Sequence, residues 1–145
     1  KEKAGCIDID AADLFNEIIK DKSYFLQSGG GVTFSGGEAL LQSKLLLPLL
    51  IKLKEEGINV CFETALMVPT ELVREIISYV DLFIVDIKIL DEDKVKSILG
   101  GNLDLYWNCW DRDFFDKDNE KCFLITKENY YLYSLFDELY NNIKN

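Results

Sequence analysis

The chain has 145 residues, of which 48% are hydrophobic and 29% charged, so it can bury a single core and is not disordered. Its formal net charge of -10 predicts repulsion from phosphate backbones and anionic lipid, so we expect neither nucleic acid nor a membrane surface as partner. Histidine is absent, which removes the commonest general base, the commonest zinc ligand and any Ser-His-Asp triad.

The first half of the chain predicts two helices on either side of a short strand. Asp10 is a suitable N-cap for an amphipathic helix over residues 11–21, and a β-rich run follows at residues 31–35. A Leu-rich helix then runs from residue 40 or 43 to residue 56. Pro48 either kinks this helix or marks its first turn.

The next stretch repeats the alternation of strand and helix. Residues 58–64 predict a second strand, Pro69 opens a helix, and residues 82–89 predict a third strand. Asp91 then caps a short helix that ends at Gly100. Strands that alternate with helices imply right-handed crossovers and a parallel sheet, so the predicted class is α/β.

The chain changes character after residue 108, where aromatic residues stand among charged ones. A strand-like run at residues 121–125 precedes a helix predicted over residues 127–143, with Thr126 as its N-cap. The aromatic residues of that helix recur near helical spacing, which indicates packing more than chemistry. No low-complexity linker separates this part from the rest, so residues 1–145 are expected to form a single domain.

The sequence carries no recognisable targeting signal or metal-binding motif. Residues 1–10 lack a signal-peptide core, and no apolar run reaches the length of a membrane span, so a cytoplasmic protein is expected. The cysteines form neither CxxC nor CxxxCxxC and are expected to be unpaired buried thiols. They are Cys6, Cys61, Cys109 and Cys122.

Polar and apolar residues alternate in all three predicted strands. Strands buried on both faces of a parallel sheet normally read as continuous apolar runs. The alternation therefore predicts one apolar face against the helices and one polar face, which in a barrel is the lumen. The apolar positions are Val32, Phe34, Val60, Phe62, Val85, Ile87 and Ile89. The polar face carries Ser35, Glu63, Asp86 and Lys88.

This polar face is open to two interpretations. The charged residues either form a structural network or a solvated face, or they build a site, because sites of barrels and open α/β sheets lie at the carboxyl ends of strands. The turn Gly36-Gly37-Glu38 favours a site: a ligand can approach the backbone there beside a carboxylate, which suits an ammonium group. The glycines of residues 29–37 match neither a Walker loop nor a dinucleotide fingerprint, and otherwise read as turn glycines.

One long stretch is specific enough to indicate a family. Residues 28–42, SGGGVTFSGGEALLQ, resemble the signature of the glycyl-radical-enzyme activating enzymes of the radical SAM superfamily, the group that contains pyruvate formate-lyase activating enzyme. The resemblance continues through residues 55–64, residues 80–88 and the Gly-Gly-Asn of residues 100–102. It covers about residues 10–106, and residues 107–145 diverge from the family.

The resemblance assigns roles to residues of the polar face. It implies that S-adenosylmethionine (SAM) binds with its amino group at the glycine turn. The implied SAM-binding residues are Gly36, Gly37, Glu38 and Lys88. It also implies a monovalent cation beside the SAM carboxylate, for which hard oxygen donors are suited. The implied cation ligands are Glu63, where the family commonly has Asp, Thr64, Asp86 and the backbone carbonyl of Ile84.

The resemblance also implies a reaction. In the family, a [4Fe-4S] cluster held by CxxxCxxC receives an electron from flavodoxin or ferredoxin and cleaves SAM, and the 5′-deoxyadenosyl radical takes a hydrogen atom from a glycine of the partner, a glycyl radical enzyme. Such oxidoreductases work anaerobically. This chain lacks the cluster motif, the first barrel strand and the last barrel strands, so we expect a partial (β/α) radical SAM barrel that is inactive alone.

Two alternatives to this interpretation stay open. The chain is a non-catalytic remnant that still binds SAM or docks on a glycyl radical enzyme. Alternatively, it is an unrelated nucleotide-binding α/β protein that uses Asp86 and Lys88 for another ligand.

Overall fold

The fold is built on one sheet whose strands follow chain order. The computed structural model describes residues 7–87, 91–105, 122–126 and 130–132. The strands are β1 (Gly31–Phe34), β2 (Asn59–Thr64), β3 (Leu82–Ile87), β4 (Cys122–Thr126) and β5 (Tyr130–Leu132). The first four are parallel, and β5 pairs antiparallel with β4. The predicted α/β class with parallel strands is confirmed, and strand order and direction match a partial (β/α) barrel.

Helices connect the parallel strands. They are α1 (Ala11–Ile18), α2 (Lys22–Ser28), α3 (Ser43–Glu55), α4 (Thr70–Ile76) and α5 (Glu92–Lys94). The Asp10 carboxylate accepts hydrogen bonds from the first-turn N–H groups of α1, which confirms its predicted role as N-cap. The helix predicted over residues 11–21 continues, because a 3-10 turn joins α1 to α2 and the first left-handed residue after α2 is Gly29.

Pro48 lies inside α3, so the alternative in which it marks the first turn is wrong. The helix begins at Ser43, after a 3-10 turn over Ala39–Gln42. A proline inside a helix removes one backbone hydrogen bond and costs about 3 kcal/mol. Three leucines of the same helix, Leu49, Leu50 and Leu53, are at most 1% exposed, and each contributes roughly 1.5–3 kcal/mol by burial. Their packing outweighs the cost of Pro48.

The core lies between the helices and one face of the sheet. Val60, Phe62, Phe83 and Val85 are 0% exposed, and the rings of Phe62 and Phe83 lie 6.2 Å apart. The positions between them face away from the helices, where Glu63 is exposed and Cys61 and Asp86 are half-buried. The predicted division into an apolar and a polar face is therefore confirmed for β2 and for β3 up to residue 86, and the side chains of residues 87–89 lie outside the described part of the chain.

The C-terminal part differs from its prediction. The strand predicted over residues 121–125 is present as β4, but Tyr130–Leu132 forms β5, so the helix predicted over residues 127–143 is wrong at these positions. Aromatic residues favour strands as much as amphipathic helices, and the edge of β4 satisfies their backbone groups. Leu124 and Tyr131 are register partners in this pair. The remaining residues of that prediction lie outside the described residues.

The short helix after β3 is confirmed. The Asp91 carboxylate accepts a hydrogen bond from the Lys94 N–H at 3.0 Å, and a π-helical turn over Val95–Leu99 ends at Gly100 with φ of 64°. Hydrogen bonds from the backbone and side chain of Lys94 hold the pKa of Asp91 below its usual value. The third strand, predicted to residue 89, is described to Ile87, and residues 88–90 are not among the described ones.

Candidate functional site

The turn Gly36-Gly37 follows β1 and its shape requires glycine. Both residues have positive φ, 87° at Gly36 and 56° at Gly37. A Cβ atom added at either would meet no atom of the described residues within 4 Å, apart from its chain neighbours. Backbone conformation therefore selects glycine here, since a side chain in the left-handed region costs roughly 1–2 kcal/mol. Both glycines are exposed, and the turn lies at the carboxyl end of its strand, as predicted.

The Glu38 carboxylate contacts the end of β2. Its Oε1 accepts hydrogen bonds from the Thr64 hydroxyl at 2.8 Å and from the Leu40 N–H at 3.2 Å. Its Oε2 accepts a third hydrogen bond, from the Ala65 N–H at 3.0 Å. Glu38 is half-buried and caps the 3-10 turn that leads into α3. The residue predicted to face a ligand thus bonds to the neighbouring strand.

Glu63 lies on the polar face beside the glycine turn. The Ser35 hydroxyl donates a hydrogen bond to its Oε2 at 2.6 Å, across the ends of β1 and β2. Both side chains are exposed. A carboxylate has about four acceptor positions, so this bond leaves Glu63 able to accept from a ligand.

A cavity of about 220 Å³ brings together most of the residues predicted for the site. It lies at the carboxyl ends of β1, β2 and β3 and is lined by Ser35, Gly36, Gly37, Glu63, Thr64, Ala65 and Asp86. Two carboxylates, those of Glu63 and Asp86, are among the residues that line it. Carboxylate oxygens of this kind can accept charged hydrogen bonds from a cationic ligand.

Three other residues were also predicted to belong to the site, namely Thr64, Ile84 and Lys88. Thr64 lines the cavity, but its hydroxyl donates to Glu38 and accepts from the Leu66 N–H at 2.9 Å. Ile84 is the register partner of Glu63 and is half-buried beside it in the sheet. Lys88 lies outside the described residues.

A larger cavity, of about 330 Å³, lies at the opposite, amino ends of the same strands. Its polar side chains bond to neighbouring parts of the fold: Asn59 donates to the Gly29 carbonyl at 2.9 Å, and Asp81 accepts from the Val60 N–H at 2.9 Å. Asp81 also contacts Lys54 at 2.5 Å. These groups stabilise the sheet edge, and we place the candidate site at the smaller cavity.

Cys61 is a half-buried free thiol on the polar face. Burial raises its pKa, the negative charge of Glu63 raises it further, and a hydrogen bond with Thr33 acts in the opposite direction. A raised pKa keeps the thiol protonated at neutral pH, which makes it a weak nucleophile. The side chains of the other three cysteines, Cys6, Cys109 and Cys122, lie outside the described part of the chain.

Neither a metal cluster nor a membrane span is formed by the described residues. Within 7–87, 91–105, 122–126 and 130–132, no group of three or more His, Cys, Asp or Glu side chains is arranged to hold a metal ion. Among the described helices, none has the length and apolar character needed to cross a bilayer.

Two features at the end of β2 were not predicted from the sequence. One is the pairing of Glu38 with Thr64. Strand parity indicates only that Thr64, like Val60 and Phe62, points to the helix side of the sheet. It does not identify Glu38 as the partner of Thr64. The other is Leu66, which is fully buried with φ of 54°. No sequence signal identifies a leucine in this left-handed conformation.

Comparison with known proteins supports the resemblance. The chain is 47% identical over 85 residues to the (2S)-3-sulfopropanediol dehydratase activating enzyme of Klebsiella oxytoca, which covers 59% of this chain and 27% of that protein. It is 42% identical over 97 residues to the pyruvate formate-lyase-activating enzyme of Clostridium pasteurianum, covering 67% of this chain and 40% of that protein. The chain is a homologue of these activating enzymes. The predicted family resemblance is confirmed.

Two further proteins are similar to the chain. The pyruvate formate-lyase-activating enzyme of Staphylococcus aureus (strain USA300) is 39% identical over 94 residues, covering 61% of this chain and 38% of that protein. A crystal structure of a domain of pyruvate-formate lyase-activating enzyme from Bacteroides vulgatus is 30% identical, with a TM-score of 0.48, and covers 55% of this chain and 50% of that one. No family model matches the chain. The chain spans 27% to 40% of the length of these activating enzymes.

Proposed function

We propose that this chain forms the SAM-binding part of an activating enzyme that installs a glycyl radical on a partner enzyme. One observation carries the proposal: the Gly36-Gly37 turn, Glu63 and Asp86 line one cavity at the carboxyl ends of parallel strands. That cavity belongs to a chain 47% identical over 85 residues to one activating enzyme. The arrangement offers backbone and carboxylate oxygens to a cationic ligand.

The chemistry of these donors fits the amino-acid end of SAM. Its ammonium group can donate hydrogen bonds to backbone carbonyls of the turn and to a carboxylate such as Glu63. A cavity of about 220 Å³ is smaller than the roughly 300–1,000 Å³ of sites that enclose whole ligands, so it suits one end of the molecule. We propose that Gly36, Gly37 and Lys88 bind this end, with Glu38 beside them.

A monovalent cation would complete the charge balance of the site. Glu63 and Asp86 line the cavity, and a cation held between their carboxylates and the SAM carboxylate would offset the repulsion between these like charges. We propose that Thr64 and the Ile84 carbonyl supply further oxygen ligands. Oxygen donors of this kind are suited to a hard alkali cation.

A [4Fe-4S] cluster would supply the electron that cleaves SAM, and flavodoxin or ferredoxin would be its reductant. No CxxxCxxC occurs in this chain, so we propose that the 145 residues by themselves hold no such cluster and do not turn over. Anaerobic reconstitution with iron and sulfide should then give no stable [4Fe-4S] absorption spectrum. A stoichiometric cluster would refute this part of the proposal. We also propose that the protein is cytoplasmic. The net charge of -10 supports a protein that binds neither nucleic acid nor anionic membrane.

Equilibrium dialysis with labelled SAM tests the binding site directly. The chain should bind SAM, and Asp86→Asn and Glu63→Gln should each weaken binding about tenfold, the effect of losing a charged hydrogen-bond partner. Glu55→Gln is the matched control, since Glu55 is exposed at the end of α3 and its loss removes the same charge away from the cavity. No binding at millimolar SAM, in protein shown to be folded by circular dichroism, would refute the proposal.

The second candidate function is a non-catalytic module that binds SAM or docks on a glycyl radical enzyme. The same cavity favours it, because SAM binding needs no residue of the cluster motif. Reconstitution separates the two functions: the activating enzyme requires that a polypeptide carrying CxxxCxxC restores SAM cleavage when added to this chain. A binding module predicts SAM binding with no cleavage in that mixture.

A further inference from the structure

We infer that Glu38 is a positioning residue that fastens the Gly36-Gly37 turn to the end of β2 and does not itself contact the ligand. The inference rests on the proposed function for the identity of the ligand. Glu38 is absent from the residues that line the 220 Å³ cavity, whereas Gly36 and Gly37 before it and Thr64 and Ala65 opposite it all line that cavity. Its carboxylate points from the turn into the protein.

The acceptor positions of Glu38 are largely used within the fold. A carboxylate offers about four lone-pair positions, and three of them accept from Thr64, Leu40 and Ala65 at 2.8 to 3.2 Å. Two of these donors belong to the segment that ends β2, and the third opens the 3-10 turn before α3. The side chain thus joins the turn before α3 to the end of β2, where Thr64 and Ala65 lie 26 and 27 residues after Glu38 in the sequence.

The glycine turn needs such a contact because little supports it from the side. Among the described residues, apart from the chain neighbours, no atom lies within 4 Å of a Cβ position at Gly36 or Gly37. Glycine also has more backbone freedom to lose than any other residue. The turn is held instead by hydrogen bonds at its two flanks. On one side the Ser35 hydroxyl donates to Glu63, and on the other Glu38 accepts from Thr64 and Ala65. A turn held in its binding conformation does not spend ligand-binding energy on becoming ordered.

Thr64 extends this contact into the bend that follows β2. Its buried hydroxyl, on a residue 4% exposed, accepts from the Leu66 N–H at 2.9 Å and donates to Glu38. Leu66 has φ of 54°, so the bend holds an unfavourable backbone conformation. Hydrogen bonds in such a chain strengthen one another, and loss of one member weakens the rest.

A double-mutant cycle distinguishes positioning from direct contact. Glu38→Gln keeps the size of the side chain but leaves one acceptor oxygen for three donors, the Thr64 hydroxyl and the N–H groups of Leu40 and Ala65. Thr64→Val removes the first donor. We expect each substitution to weaken SAM binding about tenfold, and Glu38→Gln to weaken it less than twofold further in the Thr64→Val background, where the contact is already lost. This comparison cancels any contribution that Thr64 makes as a cation ligand. Glu55→Gln, which removes a carboxylate at the exposed end of α3, should bind as the unmodified chain does.

The opposite pattern overturns the inference. If Glu38 bound the ammonium group directly, Glu38→Gln would weaken binding as strongly in the Thr64→Val background as alone. The two losses would then multiply, to about a hundredfold in the double variant. Dialysis with labelled SAM, on variants whose circular dichroism matches the unmodified chain, measures all four affinities.

A second measurement needs no ligand and separates this inference from the proposed function. Amide hydrogen exchange at Ala65, without SAM, should be at least about tenfold faster in Glu38→Gln, because its N–H loses a charged acceptor. Unchanged exchange at Ala65 overturns the inference whether or not SAM binds. Faster exchange in a chain that binds no SAM refutes the proposed function and supports the contact between the turn and β2.

Discussion

The Ser35 hydroxyl donates a hydrogen bond to the Glu63 carboxylate, with 2.6 Å between Oγ and Oε2, at the point where β1 and β2 end. Together with Glu38, this bond attaches both flanks of the glycine turn to β2. The side chains of β2 on the opposite face, Val60 and Phe62, are 0% exposed in the core. A flexible turn is in this way supported by a rigid strand, which is what a preorganised site requires.

Removal of the Ser35 hydroxyl tests whether this flank matters for binding. Ser35→Ala should weaken SAM binding about fivefold, because an exposed hydrogen bond to a charged group contributes about 1 kcal/mol and its loss frees Glu63 to rotate. Dialysis with labelled SAM measures the change. Ser35→Thr keeps the hydroxyl and should stay within about twofold of the unmodified chain; equal affinities for the Ala variant and the unmodified chain would show that Glu63 is positioned by other contacts.

The conformation of the second turn glycine predicts a stability change. Gly37→Ala should lower the free energy of unfolding by about 1–2 kcal/mol, because φ of 56° is unfavourable for alanine although no atom would clash with its Cβ. Gly37→Asn is the matched control, since asparagine tolerates the left-handed region and should lose less than about 1 kcal/mol. Urea unfolding followed by circular dichroism gives both values. An Asn variant that is less stable than the Ala variant would contradict this explanation.

Much of the site could be predicted from the alternation of residues in strands. A period of two places Glu63 and Asp86 on one face and Val60, Phe62 and Val85 on the other, and the structure has this division. Strand ends of a parallel sheet share one edge, which brings these carboxylates to the glycine turn. Both predictions depend only on local pattern and on strand direction.

What could not be predicted depends on contacts between distant segments. The orientation of Glu38 is set by a hydroxyl and an N–H group 26 and 27 residues later, and a carboxylate beside two glycines is equally compatible with facing a ligand. The strand β5 was missed for a different reason. Aromatic residues at helical spacing also suit a strand, and the free edge of β4, a tertiary feature, decides between the two.

The cap of α5 predicts a pH-dependent end of that helix. The pKa of Asp91 is lowered, so its stabilising effect is present above the ordinary pKa of an aspartate and is lost as pH falls through the lowered value. Exchange of the Lys94 N–H, which donates to Asp91 at 3.0 Å, should therefore accelerate in acid beyond the intrinsic pH dependence. Asp91→Asn keeps a capping oxygen without a titrating charge and should abolish that extra acceleration. Persistence of the effect in the Asn variant would assign it to another group.

The thiol of Cys61 reports on the charge of Glu63 next to the cavity. Burial is the main cause of its raised pKa, and Glu63 raises it further, so Glu63→Gln should shift the alkylation midpoint of Cys61 to lower pH. Thr33 acts in the opposite sense through its hydrogen bond, so Thr33→Val should shift the midpoint to higher pH. Iodoacetamide labelling from pH 7 to 11, resolved to Cys61 by peptide mass spectrometry, measures both shifts.

Glu55→Gln is the control for net charge, because it removes the same charge as Glu63→Gln at an exposed position and should leave the alkylation midpoint of Cys61 unchanged. If the Glu63 and Glu55 variants shift the alkylation midpoint equally, the shift reflects the net charge of the protein. The explanation that Glu63 acts on Cys61 from the same face of the sheet would then be wrong.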